Sequence, residues 1–226
     1  MKERPILMCG PMVLATLKDQ KTNTRRVLKP QPPSSESIYA KCGQGISLFN
    51  DEWSPDGATF RVGGACGLVH DACGQDSWRC PYGEPGDRLW VKETWKPHCE
   101  GPISAEFPLG TCVKYRADGV CVKPDTWDNE QGAWCEAHEE STKWRPSIFM
   151  PRWASRITLE VTGVKAQQVQ DISEGDAASE GIQFISPDWK KNPVGIFAVL
   201  WDSINLKRGF GWDANPWVWV VQFKRV

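Results

Sequence analysis

Residues 86–95 read Gly-Asp-Arg-Leu-Trp-Val-Lys-Glu-Thr-Trp, a turn followed by a strand. Gly86-Asp87 supplies the turn. From Arg88 onward, alternation puts Leu89, Val91, Glu93 and Trp95 on one face and Trp90, Lys92 and Thr94 on the other. The first face is apolar apart from Glu93, which sets a carboxylate toward the end of a buried strand; the competing reading is an end-of-strand carboxylate in water. Two later stretches share the pattern. Arg156 to Thr162 turns Ile157, Leu159 and Val161 to a core, and Trp217 to Val226 alternates throughout.

Three short helices surround these strands. Pro11 opens one that carries Val13, Leu14 and Leu17 and ends near Asp19. Ser173 caps a second, with Asp176 three residues on and Gly181 as its stop, so Glu180 is the last side chain before the stop. Asn192-Pro193 opens a third, with Phe197, Leu200, Trp201 and Ile204 on one face. Strands and helices do not alternate as βαβ units, so the class is α+β, mainly β. Residues 28–85 and 97–145 are rich in Pro, Ser, Gly and Cys and read as irregular insertions, with a few short strands in the first and a strand-like piece at Cys112 to Arg116 in the second. No linker divides the chain, so 1–226 is expected to be one domain.

Net charge is -1 and the pI is near 6.3, which excludes a global basic field for nucleic acid. Nine cysteines, an odd number in a chain large enough to fold without staples, point to a reducing compartment. Lys2 and Arg4 before the apolar run Ile6 to Leu17 imitate a signal peptide. Gly10-Pro11 interrupts that run, however, and the basic stretch Lys18 to Arg26 follows it in place of a cleavage site. The apolar run near Trp217 to Val221 is too short to span a bilayer. The expectation is a cytoplasmic protein with no membrane partner.

The chemistry concentrates at Asp19 to Arg26, Asp-Gln-Lys-Thr-Asn-Thr-Arg-Arg, where Lys21, Thr22, Thr24, Arg25 and Arg26 put three cations and two hydroxyls into six residues. So dense a set of donors suits an anionic or carbonyl-rich ligand, and equally a solvated turn. Lys21 and Thr24 point the same way on a tight turn and opposite ways on a flat strand. A Thr hydroxyl needs a base to become a nucleophile. A Lys of lowered pKa can serve, with a carboxylate carrying the proton to a leaving amine. Thus Lys21, Thr24 and a carboxylate suffice for amide hydrolysis, with Arg25 or Arg26 holding the substrate. Neither G-x-S-x-G nor a phosphate-cradling Gly loop occurs.

Cys66, His70, Cys73 and Cys80 form C-x3-H-x2-C-x6-C. Such a set could hold a structural zinc in place of a core for the first insertion; the alternative is free thiols. His98, Cys99, Cys135 and His138 make a looser second set. The activity itself requires no cofactor.

Residues 17–26, L-K-D-Q-K-T-N-T-R-R, resemble the G-x-K-x-x-x-x-R signature of ASCH domains, in the PUA-like superfamily. G-D-R-L-W-V at 86–91, R-I-T-L-E-V at 156–161, D-I-S-E-G-D-A-A-S-E-G-I at 171–182 and W-V-W-V-V-Q-F-K-R-V at 217–226 follow in that family's order. P-Y-G-x-P-G-D-R-L-W-V-x-E-T-W and N-P-W-V-W-V are similar to the longer ASCH-like proteins of phages and prophages. Roughly half the chain carries the resemblance, and the insertions lie outside it. The family's glycine is Asp19 here, a residue that tolerates a left-handed turn; its carboxylate could alternatively pair with Lys21.

The resemblance implies a small curved β-barrel with short flanking helices and a cleft at one mouth. It implies that the cleft takes a nucleobase, a nucleoside or RNA. Small bacterial members hydrolyse N4-acetylcytidine with a Lys, a Thr and a Glu, which match Lys21, Thr24 and Glu180. On that reading Thr24, or a water it positions, attacks the acyl amide, Lys21 is the base and Glu180 the shuttle. Substitution of Lys21 or Glu180 is expected to abolish hydrolysis while leaving thermal stability nearly unchanged. A competing implication is a non-catalytic module for RNA or a modified base. There Lys21, Thr24 and Glu180 hydrogen-bond a base edge, Trp90, Trp95 and Trp153 stack the base, Arg25, Arg26, Arg152 and Arg156 hold phosphate, and Thr22 and Glu93 complete the site. A third is a phage structural or interaction protein with a vestigial pocket.

Overall fold

A computed structural model describes residues 1–32, 46–48, 59–64, 76–99, 111–122 and 143–226. Its strands are β1 (Glu3–Leu7), β2 (Asn23–Val27), β3 (Ile46–Leu48), β4 (Thr59–Gly64), β5 (Asp76–Arg79), β6 (Arg88–Lys92), β7 (Trp95–Cys99), β8 (Thr111–Tyr115), β9 (Cys121–Val122), β10 (Thr158–Gln168) and β11 (Trp217–Arg225). The helices are α1 (Gly10–Leu17), α2 (Glu174–Ser179) and α3 (Pro193–Asn205), with several single 3-10 turns between them. The class is mixed α and β with more strand than helix, and no helix is long and apolar enough to cross a membrane.

The main sheet has the order β1-β6-β10-β11-β2. β1 runs parallel to β6, and the other pairings are antiparallel. β10 and β11 form its centre. Their ladder shifts register between Val161 and Gly163, where an added Cβ would come within 2.6 Å of Gln222 Oε1 and would have to push that exposed side chain aside. β11 is buried on both faces. Trp219, Val221 and Phe223 join Ile6, Leu89, Val91, Leu159 and α1 residues Met12 and Val13 in the main core. Val218 and Val220 meet Phe197 and Trp201 of α3 in a second core. Each such buried aliphatic contributes about 1.5–3 kcal/mol, so the sheet is held by both layers.

The main sheet is open rather than closed into a barrel. Its pairings leave β1 and β2 as edges, and no strand pair joins them among the described residues. The Arg26 guanidinium bridges these edges instead, donating to the Leu7 carbonyl at 2.6 Å. The sheet therefore curls until its two edges lie within one side chain's reach.

The stretch 88–95 is shared between two sheets. β6 ends at Lys92, and after Glu93-Thr94 the chain enters β7 of a separate three-stranded sheet, β7-β8-β9. Leu89, Val91, Glu93 and Trp95 are nonetheless all buried, as one face. Trp95 belongs to a third core with Val113, Tyr115, Met150 and Ala154. β10 runs on to Gln168, past the expected end near Thr162, because β11 pairs with it along its length. Strands β3-β4-β5 make a three-stranded sheet within the first insertion. In α3, Phe197 and Trp201 are buried, but Ile204 is 51% exposed, where it lines a cavity.

Candidate functional site

Helix α1 sets the position of Lys21. Its last turn is closed by the Gln20 and Lys21 amides, both donating to the Ala15 carbonyl at 2.9 and 3.1 Å. Asp19 makes the reversal at φ 55°, in the left-handed region its side chain tolerates. Its carboxylate pairs with Arg225 at 2.9 and 3.0 Å rather than with Lys21. Lys21 then lies in the turn and Thr24 on β2, so the two meet one cavity although a flat strand would have separated them. β2 is an edge strand. Thr24 pairs with Val221 on the main-core face, and Arg25 pairs with Val220 on the α3 face.

The end of α2 docks onto this turn. Thr22 N donates to the Ser179 carbonyl at 3.0 Å. Lys21 Nζ donates to the Glu180 carbonyl at 2.8 Å and to Glu180 Oε2 at 2.7 Å. A cation there also complements the carbonyl end of α2. Arg25 donates to Glu180 Oε1 at 3.2 Å and to Asp176 Oδ2 at 2.9 Å, and its guanidinium lies 5.8 Å from the Phe197 ring centre. Gly181, at φ 86°, permits the approach. A Cβ there would sit 2.7 Å from Ala15 Cβ and 3.3 Å from Lys21 Cβ.

Lys21, Thr24, Arg25 and Glu180 are all buried. Burial pulls the Lys21 ammonium below the usual lysine range, against the opposing pull of the Glu180 carboxylate. All four line a cavity of about 1090 Å³, large enough for a nucleoside-sized ligand. The Thr24 hydroxyl has no hydrogen-bond partner among the described residues, so it is available to a ligand.

Glu93 forms part of another wall. It is buried and held in a two-pronged pair by Arg156, at 2.9 and 3.0 Å, which also reaches Asp118 at 2.7 Å. Burial raises its carboxyl above the usual range despite that partner. The Arg156 guanidinium lies 4.0 Å from the Tyr115 ring centre.

The remaining sequence-expected residues, Arg26 apart, do not line the cavity. Thr22 is exposed. Arg26 lines the cavity. Arg156 is engaged by two carboxylates, and Arg152 pairs with Glu3 at 2.9 Å on the surface. Trp95 is enclosed in the third core, with Trp153 edge-on against it at 5.6 Å. Trp90 carries Lys92 5.4 Å above its ring. None of Trp90, Trp95, Trp153, Arg152 and Arg156 lines the cavity; its tryptophans are Trp201 and Trp219. The sequence pattern placed Trp201 only on the apolar face of α3 and Trp219 only within the alternating strand β11. It marked Asp176 as a capping partner, whereas that residue also anchors Arg25.

Cys66, His70 and Cys73 lie outside the described residues, as do Cys135 and His138. Cys80 is buried in the main core, and that burial pushes its thiol up to about 11. His98 lies on β7. Among the described residues no group of three or more His, Cys, Asp or Glu side chains is placed to hold a metal.

No family model matches the chain, and no match emerges among curated proteins or solved structures.

Proposed function

We propose that this cavity hydrolyses an N-acyl amide on a nucleobase, of the N4-acetylcytidine type, in an ASCH-like domain of the PUA-like superfamily. The observation that carries this reading is the direct Lys21–Glu180 contact on the buried floor of the cavity that Thr24 also lines. The curled main sheet, bridged at its edges by Arg26, is the counterpart of the family's small barrel.

The Lys21–Glu180 pair holds one mobile proton. When it resides on Glu180, Lys21 is a neutral amine able to take the Thr24 hydroxyl proton as Oγ1 attacks the acyl carbon. Glu180 then protonates the departing exocyclic amine, which returns the pair to ammonium and carboxylate and leaves an acyl ester on Thr24. Water, giving a proton to Glu180, cleaves that ester; the acid is released and the proton returns to the Thr24 oxygen. Low polarity around Lys21 favours the neutral amine that the first step needs. Arg25 fixes the second carboxylate oxygen of Glu180 and so its orientation.

Purified protein incubated with N4-acetylcytidine is expected to release cytidine, detectable by ultraviolet absorbance or mass. Lys21→Ala and Glu180→Gln are each expected to reduce the rate by at least about a hundredfold. Absence of release by the wild type at high enzyme concentration would sink the amidase in favour of a binding module for RNA or a modified base.

A further inference from the structure

The cavity is neutral at its floor and positive at its mouth. The carboxylates lining it are both neutralised, Glu180 by the buried Lys21 and Arg25 and Glu93 by the half-buried Arg156. Four further cations line it with no carboxylate within ion-pair distance among the described residues: Arg26, Lys29, Arg116 and Arg208. Arg26 is half-buried and the other three are exposed, whereas Lys21 and Arg25 are buried. Neutral groups orient three of the four. Arg26 donates to the Leu7 carbonyl, Arg208 donates to Asn205 Oδ1 at 3.1 Å, and Lys29 lies 5.2 Å from the Phe210 ring centre. These contacts hold the side chains without cancelling their charge. A chain of net charge -1 that gathers around one cavity four cations without a carboxylate partner among the described residues is arranged for an anion there.

We propose that the mouth of this cavity binds the phosphate of a mononucleotide whose base lies on the Lys21–Glu180 floor. The base placement rests on the reading given under Proposed function. Guanidinium and ammonium groups pair with phosphate oxygens through charge-assisted hydrogen bonds. A single phosphate matches a local cluster of this size. A strand would need a field extending beyond the cavity, which the overall acid-base balance does not supply.

The test is a titration followed by the fluorescence of Trp201 and Trp219, both of which line the cavity. Cytidine 5′-monophosphate and cytidine are compared at about 50 mM and about 200 mM salt. The nucleotide is expected to bind at least about tenfold more tightly, with the advantage shrinking at the higher salt. In Lys29→Gln/Arg208→Gln, two changes at exposed positions, the advantage is expected to fall several-fold; Arg26→Gln should deepen the loss. Equal affinity of nucleotide and nucleoside for the wild type overturns the proposal, as does an advantage undiminished in the double variant. Binding of neither ligand overturns it together with the nucleobase reading. Oligocytidylate binding more than about tenfold tighter than the mononucleotide overturns the choice of a single nucleotide. A nucleotide advantage in a protein that hydrolyses neither N4-acetylcytidine nor its 5′-monophosphate upholds the phosphate site and removes the amidase.

Discussion

Lys21 is a cation taken out of water and tied to one carboxylate, and both its chemistry and its stability follow from that. In the amidase it shares one proton with Glu180, which the leaving amine requires, so kcat/KM should fall as rising pH strips that proton from the pair. The inflection should lie below the ordinary lysine value of about 10.4, because burial favours the amine. A pH–rate profile flat across the neutral and alkaline range would count against that shared proton. The same burial corrects the expectation that Lys21 and Glu180 can be replaced with little effect on stability. Lys21→Met leaves Glu180 with Arg25 as its remaining charged partner and should cost about 3 kcal/mol. Lys21→Met/Glu180→Met should recover part of that loss, since Arg25 keeps Asp176 and no carboxylate is stranded. Denaturant unfolding of the two single variants and the double variant reads the coupling directly.

At the scale of elements, the site is made by one close contact between the end of α2 and the turn after α1. Gly181 allows that contact twice over, by its left-handed φ and by leaving room for Ala15 and Lys21. Gly181→Ala forces either a strained backbone or a shift of α2 away from the turn. It should lower stability by about 1–3 kcal/mol and reduce turnover together. Turnover and unfolding midpoint measured on one preparation check it; unchanged turnover in the folded variant would mean that the approach is not needed for activity. Asp19 is the matching device at the other side of the turn. It accepts the left-handed conformation that a glycine would adopt more easily and adds an exposed pair to Arg225.

Across the whole molecule, Arg156 fastens the β7-β8-β9 sheet to the main sheet. It precedes β10, grips Glu93 where the chain leaves β6, and reaches Asp118 in the turn between β8 and β9. Arg156→Gln should therefore cost about 3–5 kcal/mol, most of it from leaving the buried Glu93 without its cation. Burial already raises the Glu93 carboxyl, and losing Arg156 raises it further. A carboxyl whose folded pKa exceeds its unfolded value stabilises the fold below the unfolded pKa and loses that contribution as pH rises through the folded pKa. The deficit of the variant should accordingly be smaller near pH 5 than near pH 7.5, which denaturant unfolding at the two values would show. A deficit independent of pH would mean that Glu93 finds another partner.

Local pattern determined much of this protein. Alternation in 88–95 identified the face shared by Leu89, Val91, Glu93 and Trp95, because strand geometry has a period of two whatever the strand packs against, but left open whether Glu93 met core or water. Ser173, Asn192 and Gly181 marked helix ends because capping is chemistry within a few residues: the Ser173 and Asn192 side chains accept from the amides three residues on, and Gly181 takes the left-handed φ. The density of donors at Lys21 to Arg26 singled out the stretch that lines the cavity. Other features depended on distances in space. That β6 ends at Lys92, that Trp95 packs into a third core, and that Arg156 is spent on two carboxylates all follow from which sheets meet. The juxtaposition of Lys21 with Glu180, 159 residues apart, and the cationic mouth gathered from β2, α3 and their neighbours are likewise tertiary. Charge compensation acts through space, so a sequence displays the charges while the fold alone decides which of them remain unpaired.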